Sequence, residues 1–276
     1  MKTGDIIKKL KEKSTKDTDD KGYIKSMKPE DNLYKTLDNW DKIKDEIGKG
    51  QGSELKVDKK SGRMKFCALH SSSALCVNNF AMFKQNPNKI SFIQNSNFTE
   101  AVFEKKVPTG ISSPNLDFYL ENSKTVIGIE SKFTEYLTSS IDHTKENLSK
   151  YFMREELDFL PRLFESLILN YINYPDKMYL DVAQLIKHSI GLMKNKGNKE
   201  AILVYIYWQP KNWDRNGEFQ KIYEQHKKEV EDFAQRINRF ISFKSFSYSD
   251  LWEELKEYKI LENDIELIKN KYDIDI

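Results

Sequence analysis

Cysteine is almost missing from this sequence: Cys67 and Cys76 are the two in 276 residues, and they stand nine apart. That supply excludes a disulfide framework and a four-thiolate zinc site, and leaves two reduced thiols in the core. No apolar run approaches the ~18 residues that a membrane-spanning helix needs. The opening residues from Met1 to Lys9 lack the apolar stretch of a secretory signal. The expectation is a cytoplasmic protein with no membrane partner. An excess of one charge is missing too. Lys plus Arg number 45 and Asp plus Glu 43, a net of +2, so the whole-molecule field is too weak to announce nucleic acid and any basic surface must be local. Hydrophobic residues reach only 38% against 32% charged, yet 12% of the chain is Phe, Tyr or Trp. Burial must therefore rely on large aromatic side chains, which excludes wholesale disorder.

The length suits one large domain. Residues 1–28, rich in Lys, Asp and Thr, have too few apolar positions to pack firmly and read as a loose arm, leaving 29–276 as a single domain. Pro29 opens a helix whose stripe is Leu33, Leu37, Trp40, Ile43 and Ile47, closed by Gly48 and a Gly-rich linker. Residues 49–53 lack the Gly-Lys-Ser/Thr ending and the preceding strand of a phosphate-binding loop, and read as flexible. A short buried helix spans 71–83. Runs at 89–94, 98–107, 115–121 and 125–133, rich in Phe, Val and Ile and split by turn residues, predict an antiparallel meander. Helices follow over 143–171, interrupted at Pro161, and over 175–194. The continuous apolar run 201–208 predicts a central strand buried on both faces. A helix over 217–239, a strand over 240–247 and a helix from Ser249 complete an α/β fold on a mixed central sheet flanked by helices.

Chemistry concentrates between Pro114 and Glu135. With Asn122-Ser123 as a two-residue turn, Glu121 pairs with Lys124 and Asp117 falls opposite Gly128. Glu130 and Lys132 then share its face, because strand side chains alternate with period two. Diagonal neighbours lie close enough for Asp117 and Glu130 to converge on one cation, with Gly128 leaving room beside them. Two hard carboxylate oxygens suit Mg²⁺, and the Ser131 carbonyl can add a third. An ammonium at Lys132 can position a nucleophile and stabilise charge growing on a phosphate oxygen. Glu-x-Lys alone carries little, since Glu54, Glu104, Glu254 and Glu257 begin the same triplet. A solvated strand end bearing a surface ion pair is the plain alternative. Downstream, Gln184, Lys187 and His188 occupy positions i, i+3 and i+4 of one helix, a polar stripe that could face the carboxylates. For His188 alone a structural role outweighs a ligand's, because imidazole is not a favoured Mg²⁺ ligand.

Asp117, then Glu130-x-Lys132, then Gln184-Leu-x-x-His188, in an order compatible with αβββαβ, resembles the PD-(D/E)XK nuclease superfamily, in particular restriction-endonuclease-like bacterial proteins with a RecB-type glutamine motif. The resemblance covers about residues 65–208, which makes 209–276 a C-terminal α/β extension. It implies Asp117 and Glu130 as metal ligands, Lys132 as the catalytic lysine, and Gln184 as a residue orienting that lysine or the scissile strand. His188 stands where many such proteins have Tyr. Leu116 separates Asp117 from the family's usual proline, and the helix at 71–83 lacks the acid many relatives carry, for which Glu104 is the first substitute and Glu100 the second. Glu135 is expected in a local ion pair. The resemblance thus implies a Mg²⁺-dependent DNA endonuclease of restriction or defence type, with Mn²⁺ able to substitute and a homodimer left open. RNA or single-stranded or branched DNA as substrate, and a silent nucleic-acid-binding protein of the same fold, are the competing readings. For nucleic-acid contact the sequence offers the 194–199 loop and the aromatic-polar piece 205–215, which reads at least as well as a buried strand entering a loop. Arg63 and His70 have the spacing of another RNase motif, but Met64 stands where that motif needs a polar residue.

Overall fold

A computed structural model describes residues 3–276 except 51, 139–140, 142–143, 176 and 216. Gln51 in the expected linker and His143, where the sequence suggests a helix start, lie outside the described residues. In chain order the helices are α1 (Thr3–Lys13), α2 (Trp40–Gly48), α3 (Ser72–Gln85), α4 (Glu135–Thr138), α5 (Thr144–Ser149), α6 (Arg162–Ile172), α7 (Val182–Asn195), α8 (Gly217–Ile237), α9 (Tyr248–Leu255) and α10 (Glu262–Tyr272). The strands are β1 (Glu100–Lys106), β2 (Asn115–Glu121), β3 (Thr125–Lys132), β4 (Glu200–Tyr207) and β5 (Ser242–Ser247).

The strands form one mixed sheet in sequential order. Tight connections make β1, β2 and β3 antiparallel neighbours, whereas β3 to β4 and β4 to β5 are parallel. A parallel pair needs a crossover, and α4 to α7 supply the first while α8 supplies the second. Helices therefore cover both faces. On one face α3 sets Phe80 in a stack on Phe118, ring centroids 5.1 Å apart, and Tyr248 of α9 joins the same aromatic group. On the other, α7 brings Leu192 against Gly128, and α8 brings His226 between Tyr205 and Tyr207. The run at 201–208 forms β4, buried along nearly its whole length as its composition predicts, but it is interior and not central: β3 holds the middle of the sheet, because β5 is the only strand beyond β4 among the described residues.

Several local expectations need correction. The N-terminal segment is no loose arm: α1 buries Ile6 and Leu10 at i and i+4 and packs on α10. No strand forms at 89–94, because Ile93 and Gln94 take left-handed φ of 49° and 59°, which breaks an extended run, while Ile90 and Phe92 turn into the core. Pro29 opens only a 3₁₀ turn, and the α-helix waits for Trp40. Asn32 holds the intervening chain by donating from Nδ2 to the carbonyls of Phe66 and Ala68, both at 2.7 Å. Residues before Val182 are not helical either, since the amides of Tyr179 and Leu180 donate to Glu229 of α8 at 2.8 and 2.9 Å instead of entering a helix. Among the described residues no helix is long and apolar enough to cross a membrane.

Candidate functional site

The hairpin that carries the acidic residues has a loop two residues longer than its sequence suggests. Asn122 accepts the amides of Lys124 and Thr125 on Oδ1 at 2.8 and 2.7 Å and closes the loop with its own amide on the Thr125 carbonyl, so Glu121 pairs with Val126. Tyr119, not Asp117, therefore faces Gly128. A slip of two preserves the alternation of faces. One step past the Phe118–Ile129 pair, Asp117 comes alongside Glu130, and its Oδ2 accepts the Ser131 amide at 2.6 Å. Gly128 also has a different task from the one expected. A Cβ there would lie 2.8 Å from both Leu116 and Leu192, so glycine is required for α7 to seat on the sheet and not to make room beside the carboxylates.

Glu130 sits at the end of β3 with its side chain only 2% exposed, and its Oε1 is 2.6 Å from the Lys132 ammonium. Its other oxygen is buried and has no hydrogen-bond partner. His188 is nearest to that oxygen, at 3.6 Å from Nε2, too long for a hydrogen bond. Burial, with help from Lys187 and Lys132, pushes the imidazole down to about 3, so it is neutral and forms no ion pair with Glu130 near neutral pH. Its Nδ1 lacks a partner too.

Lys132 is held from two sides. Besides Glu130, its Nζ donates to Gln184 Oε1 at 2.8 Å, which brings the glutamine of α7 to the strand end. That placement has a local cause: Asp181 caps α7 and its Oδ1 accepts the Gln184 amide at 2.9 Å, fixing the first turn beside β3. Burial opposes the Lys132 charge, but Glu130, Glu135 and Asp117 together outweigh it and raise its pKa. The lysine is therefore an ammonium, not a base.

The two carboxyls show the opposite tendency. Burial is the largest cause that lifts Asp117 well above the usual carboxyl range; Glu130's charge adds to it and Lys132 opposes. Burial likewise raises Glu130 against the pull of Lys132, with Asp181 and Glu135 adding to the rise. Glu104 joins them from β1. The ladder steps from Phe103–Phe118 to Lys105–Leu116, and between them Glu104 takes a left-handed φ of 53°. Asn115 donates to its Oε2 at 3.0 Å, and burial, with the charges of Glu130 and Glu54, pushes its carboxyl up to about 7. Ser131 places its hydroxyl 2.6 Å from that of Tyr248. Glu135 accepts the Phe133 amide at 2.7 Å, and its charge reaches Lys132 and Glu130, so it belongs to the local field rather than to a remote surface pair.

Two members have no prominent signal in the sequence. Glu54 approaches Glu104 through the glycine segment: a Cβ at Gly50 would lie 2.5 Å from Glu104 Oε2, so part of the expected linker is in fact packed against the site. Asp181 is legible as a helix cap but not as a charge beside Glu130. The aromatic-polar piece at 205–215, by contrast, is divided: its aromatic residues are packed, while Lys211, Asp214 and Arg215 are exposed. Tyr205 bonds His226, Trp208 donates to the Tyr272 carbonyl, and Trp213 rests on Tyr223. Lysines of the 194–199 loop are engaged as well, Lys194 on the Thr109 carbonyl and Lys199 on Glu121.

Among the described residues, no group of three His, Cys, Asp or Glu side chains is arranged to hold a metal ion. The feature that fits a cation is narrower: two adjacent carboxyls destabilised by burial, one carrying an unpartnered oxygen. No curated protein and no solved structure matches the chain. One family does, over residues 8–273, nearly the whole length, with the site described above inside the matched span. The chain belongs to that family, described as restriction endonuclease associating with ARP.

Proposed function

We propose that this chain is a Mg²⁺-dependent endonuclease that hydrolyses phosphodiester bonds in DNA, with Asp117 and Glu130 as metal ligands and Lys132 and Gln184 as the groups that serve the reacting phosphate. The observation that carries the reading is the Lys132 ammonium fixed between Glu130 Oε1 and Gln184 Oε1, beside a Glu130 oxygen that is buried without a partner. A buried unpartnered carboxylate oxygen is costly unless a cation meets it. A hard divalent ion suits Asp117, Glu130 and the Ser131 carbonyl, with waters completing its shell. When bound, such an ion supplies Lewis acidity at a phosphoryl oxygen.

The remaining chemistry belongs to the side chains. Lys132, permanently charged, orients a water and stabilises negative charge developing on the phosphate, and its two tethers spare it reorganisation as the reaction proceeds. Gln184 accepts from Lys132 with its oxygen, which leaves its NH₂ to donate to a phosphate or backbone oxygen. His188, neutral, packs behind Glu130 and shields it from water. Glu104 is an additional candidate for the metal's environment. The family's name supports a restriction nuclease on DNA and a partner called ARP, and both are proposed for this chain.

Purified protein incubated with supercoiled plasmid, linear duplex, single-stranded DNA and structured RNA, each with Mg²⁺, Mn²⁺ or EDTA, tests the proposal. Cleavage of DNA with either metal and none in EDTA is expected. Cleavage that persists in EDTA, or in the Lys132→Ala protein, overturns the assignment, and cleavage confined to RNA overturns the substrate.

A further inference from the structure

The N-terminal segment does more than pack. With the turn that leads into α3 it borders an open cavity of about 720 Å³, lined by Lys8, Lys11, Lys21, Tyr23 and His70 among others. That volume lies within the range of small-molecule sites, ~300 to 1,000 Å³. The walls are joined by backbone: the Leu69 amide donates to the Gly22 carbonyl and the Ile24 amide to the Cys67 carbonyl, each at 2.9 Å. Gly22 is needed at this junction. Its φ is 78°, and a Cβ there would meet Ile7 of α1 at 2.7 Å. Tyr23 and His70 consequently meet edge to face, ring centroids 6.0 Å apart.

The charges of this cavity are not balanced. Its two acids are turned to cations that do not line it, Glu12 to Lys9 at 2.9 Å and Asp20 to Arg63 at 3.3 Å. None of its three lysines has a carboxylate within ion-pair distance among the described residues, and Lys11 donates only to the Asp19 carbonyl. Three lysines thus outnumber the two acids around one cavity, and the Glu12 carboxyl is lowered by its bond to Lys9 and further by the charge of Lys8, which is near enough to act on it. The aromatic wall has its own unmet capacity, since His70 Nδ1 is buried with no hydrogen-bond partner. Burial lowers the His70 pKa, which favours a neutral ring able to give or take a hydrogen bond at an edge.

The cavity stands at the N-terminal end of α3, the helix that packs on β3: His70 directly precedes Ser71, the cap of α3.

We propose that this cavity is a second nucleic-acid subsite, binding a nucleotide that flanks the scissile phosphate, its phosphate taken by Lys8, Lys11 and Lys21 and its base set against Tyr23 and His70. The inference rests on the nuclease reading, but it concerns binding and is tested without turnover. Fluorescence anisotropy with a labelled single-stranded DNA 12-mer and its duplex, in EDTA, compares the full chain with Lys8→Ala/Lys21→Ala, Lys8→Arg/Lys21→Arg and Tyr23→Leu. Removing one lysine–phosphate pair should reduce the slope of log affinity against log salt by ~0.7 on the single strand. The double alanine variant should show that reduction for each lysine and the double arginine variant should not. Tyr23→Leu should weaken the single strand about fivefold or more with its slope unchanged. Wild-type affinity and slope in the double alanine variant, with a normal thermal melt, overturn the subsite while leaving DNA cleavage by the wild type untouched. Binding that depends on the lysines in a protein that cleaves nothing leaves the subsite standing and removes the nuclease reading. Absence of nucleic-acid binding by the wild type overturns both.

Discussion

On α3 the buried side chain of Asn78 is satisfied: it donates to the Asn32 backbone carbonyl at 3.0 Å and to the Tyr272 hydroxyl at 2.6 Å, and its oxygen accepts the Tyr34 amide at 2.9 Å, while the Asn32 side chain donates to Phe66 and Ala68. At the end of β3, Glu130 is as deeply buried, yet one of its oxygens has no partner and both it and Asp117 are pushed toward protonation. The same fold thus contains a closed polar cluster and an open one. Closing a cluster stabilises the chain on its own, because a satisfied buried hydrogen bond is worth ~1 kcal/mol while an unmet group costs ~1 to 3 kcal/mol. Leaving one open costs stability and creates capacity for a ligand. Substitutions in the two clusters should therefore have different signatures.

The sharpest contrast lies in turnover. Lys132→Ala is expected to lower the cleavage rate by ~10² to 10³ while metal and DNA binding persist, because the ammonium acts on charge that develops during reaction. Calorimetric titration with Mn²⁺ beside a plasmid assay reads both quantities. Asp117→Ala should instead abolish the Mn²⁺ signal. Unchanged Mn²⁺ binding in both Asp117→Ala and Glu130→Ala would remove the distinction between the clusters at its root.

Stability gives the next difference. Asn78→Ala strips partners from the Tyr34 amide, the Tyr272 hydroxyl and the Asn32 carbonyl, and is expected to cost ~2 to 4 kcal/mol in a denaturant titration. Asp117→Asn keeps an oxygen for the Ser131 amide and removes a charge that Glu130 and Glu104 repel. In the metal-free protein it should not destabilise, and a gain on the order of 1 kcal/mol is expected. A loss as large as that of Asn78→Ala would show that the β3 cluster is structural.

Acidity separates the clusters further. Glu104 titrates near 7 in the folded chain, above its value when unfolded, so the folded state holds the extra proton in between. Stability from this group is fully present below the unfolded carboxyl range, ~4 to 4.5, and is lost as pH rises to about 7. Asp117 and Glu130, shifted in the same direction, act with the same sign. The contribution of Glu104 should therefore fall across that window, and it is read as the difference between the melting-against-pH curves of the wild type and Glu104→Gln in the metal-free protein. Mg²⁺ should stabilise more at the upper end, where the carboxyls are ionised. His188 acts with the opposite sign: burial holds it down to about 3 in the folded chain, whereas the unfolded ring takes up a proton near ~6.5, so its contribution to stability is lost as pH falls below that value.

The features legible in the sequence are the local ones. The period of β3 and the apolar run of β4 identify two interior strands, and the triplet at Glu130 with the stripe at Gln184 picks out side chains that the fold brings together, because alternation and helix spacing are set by covalent geometry. Register was not legible: Asn122 gains two amide partners by closing a longer turn, a side-chain choice invisible to alternation. The packing of α1 was not legible either, since Ile6 and Leu10 are too few to signal a core helix and acquire their value only against α10. Glu54 reaches the site through close approach at Gly50, which composition reads as flexibility.

The smallest expected effect concerns a residue on neither strand. Glu229 of α8 is nearly fully buried, and its Oε2 accepts the amides of both Tyr179 and Leu180. Those residues immediately precede Asp181, whose carboxylate starts α7 and so decides where Gln184 meets Lys132. After Glu229→Gln the carbonyl can still accept both amides, but as an uncharged and weaker acceptor, and the new NH₂ confronts Gln225 Nε2, which donates to Glu229 Oε1 at 2.9 Å. Glu229→Gln should leave Mn²⁺ affinity unchanged, because Asp117 and Glu130 stand on other elements, and lower kcat a few-fold, to ~10-fold, with KM nearly constant as the lysine loses its alignment. A structural role alone predicts a lower melting temperature with kcat per folded molecule unchanged. Equal kcat in the two proteins at a temperature where both are folded would place Glu229 with the closed cluster on α3 and not with the open one at β3.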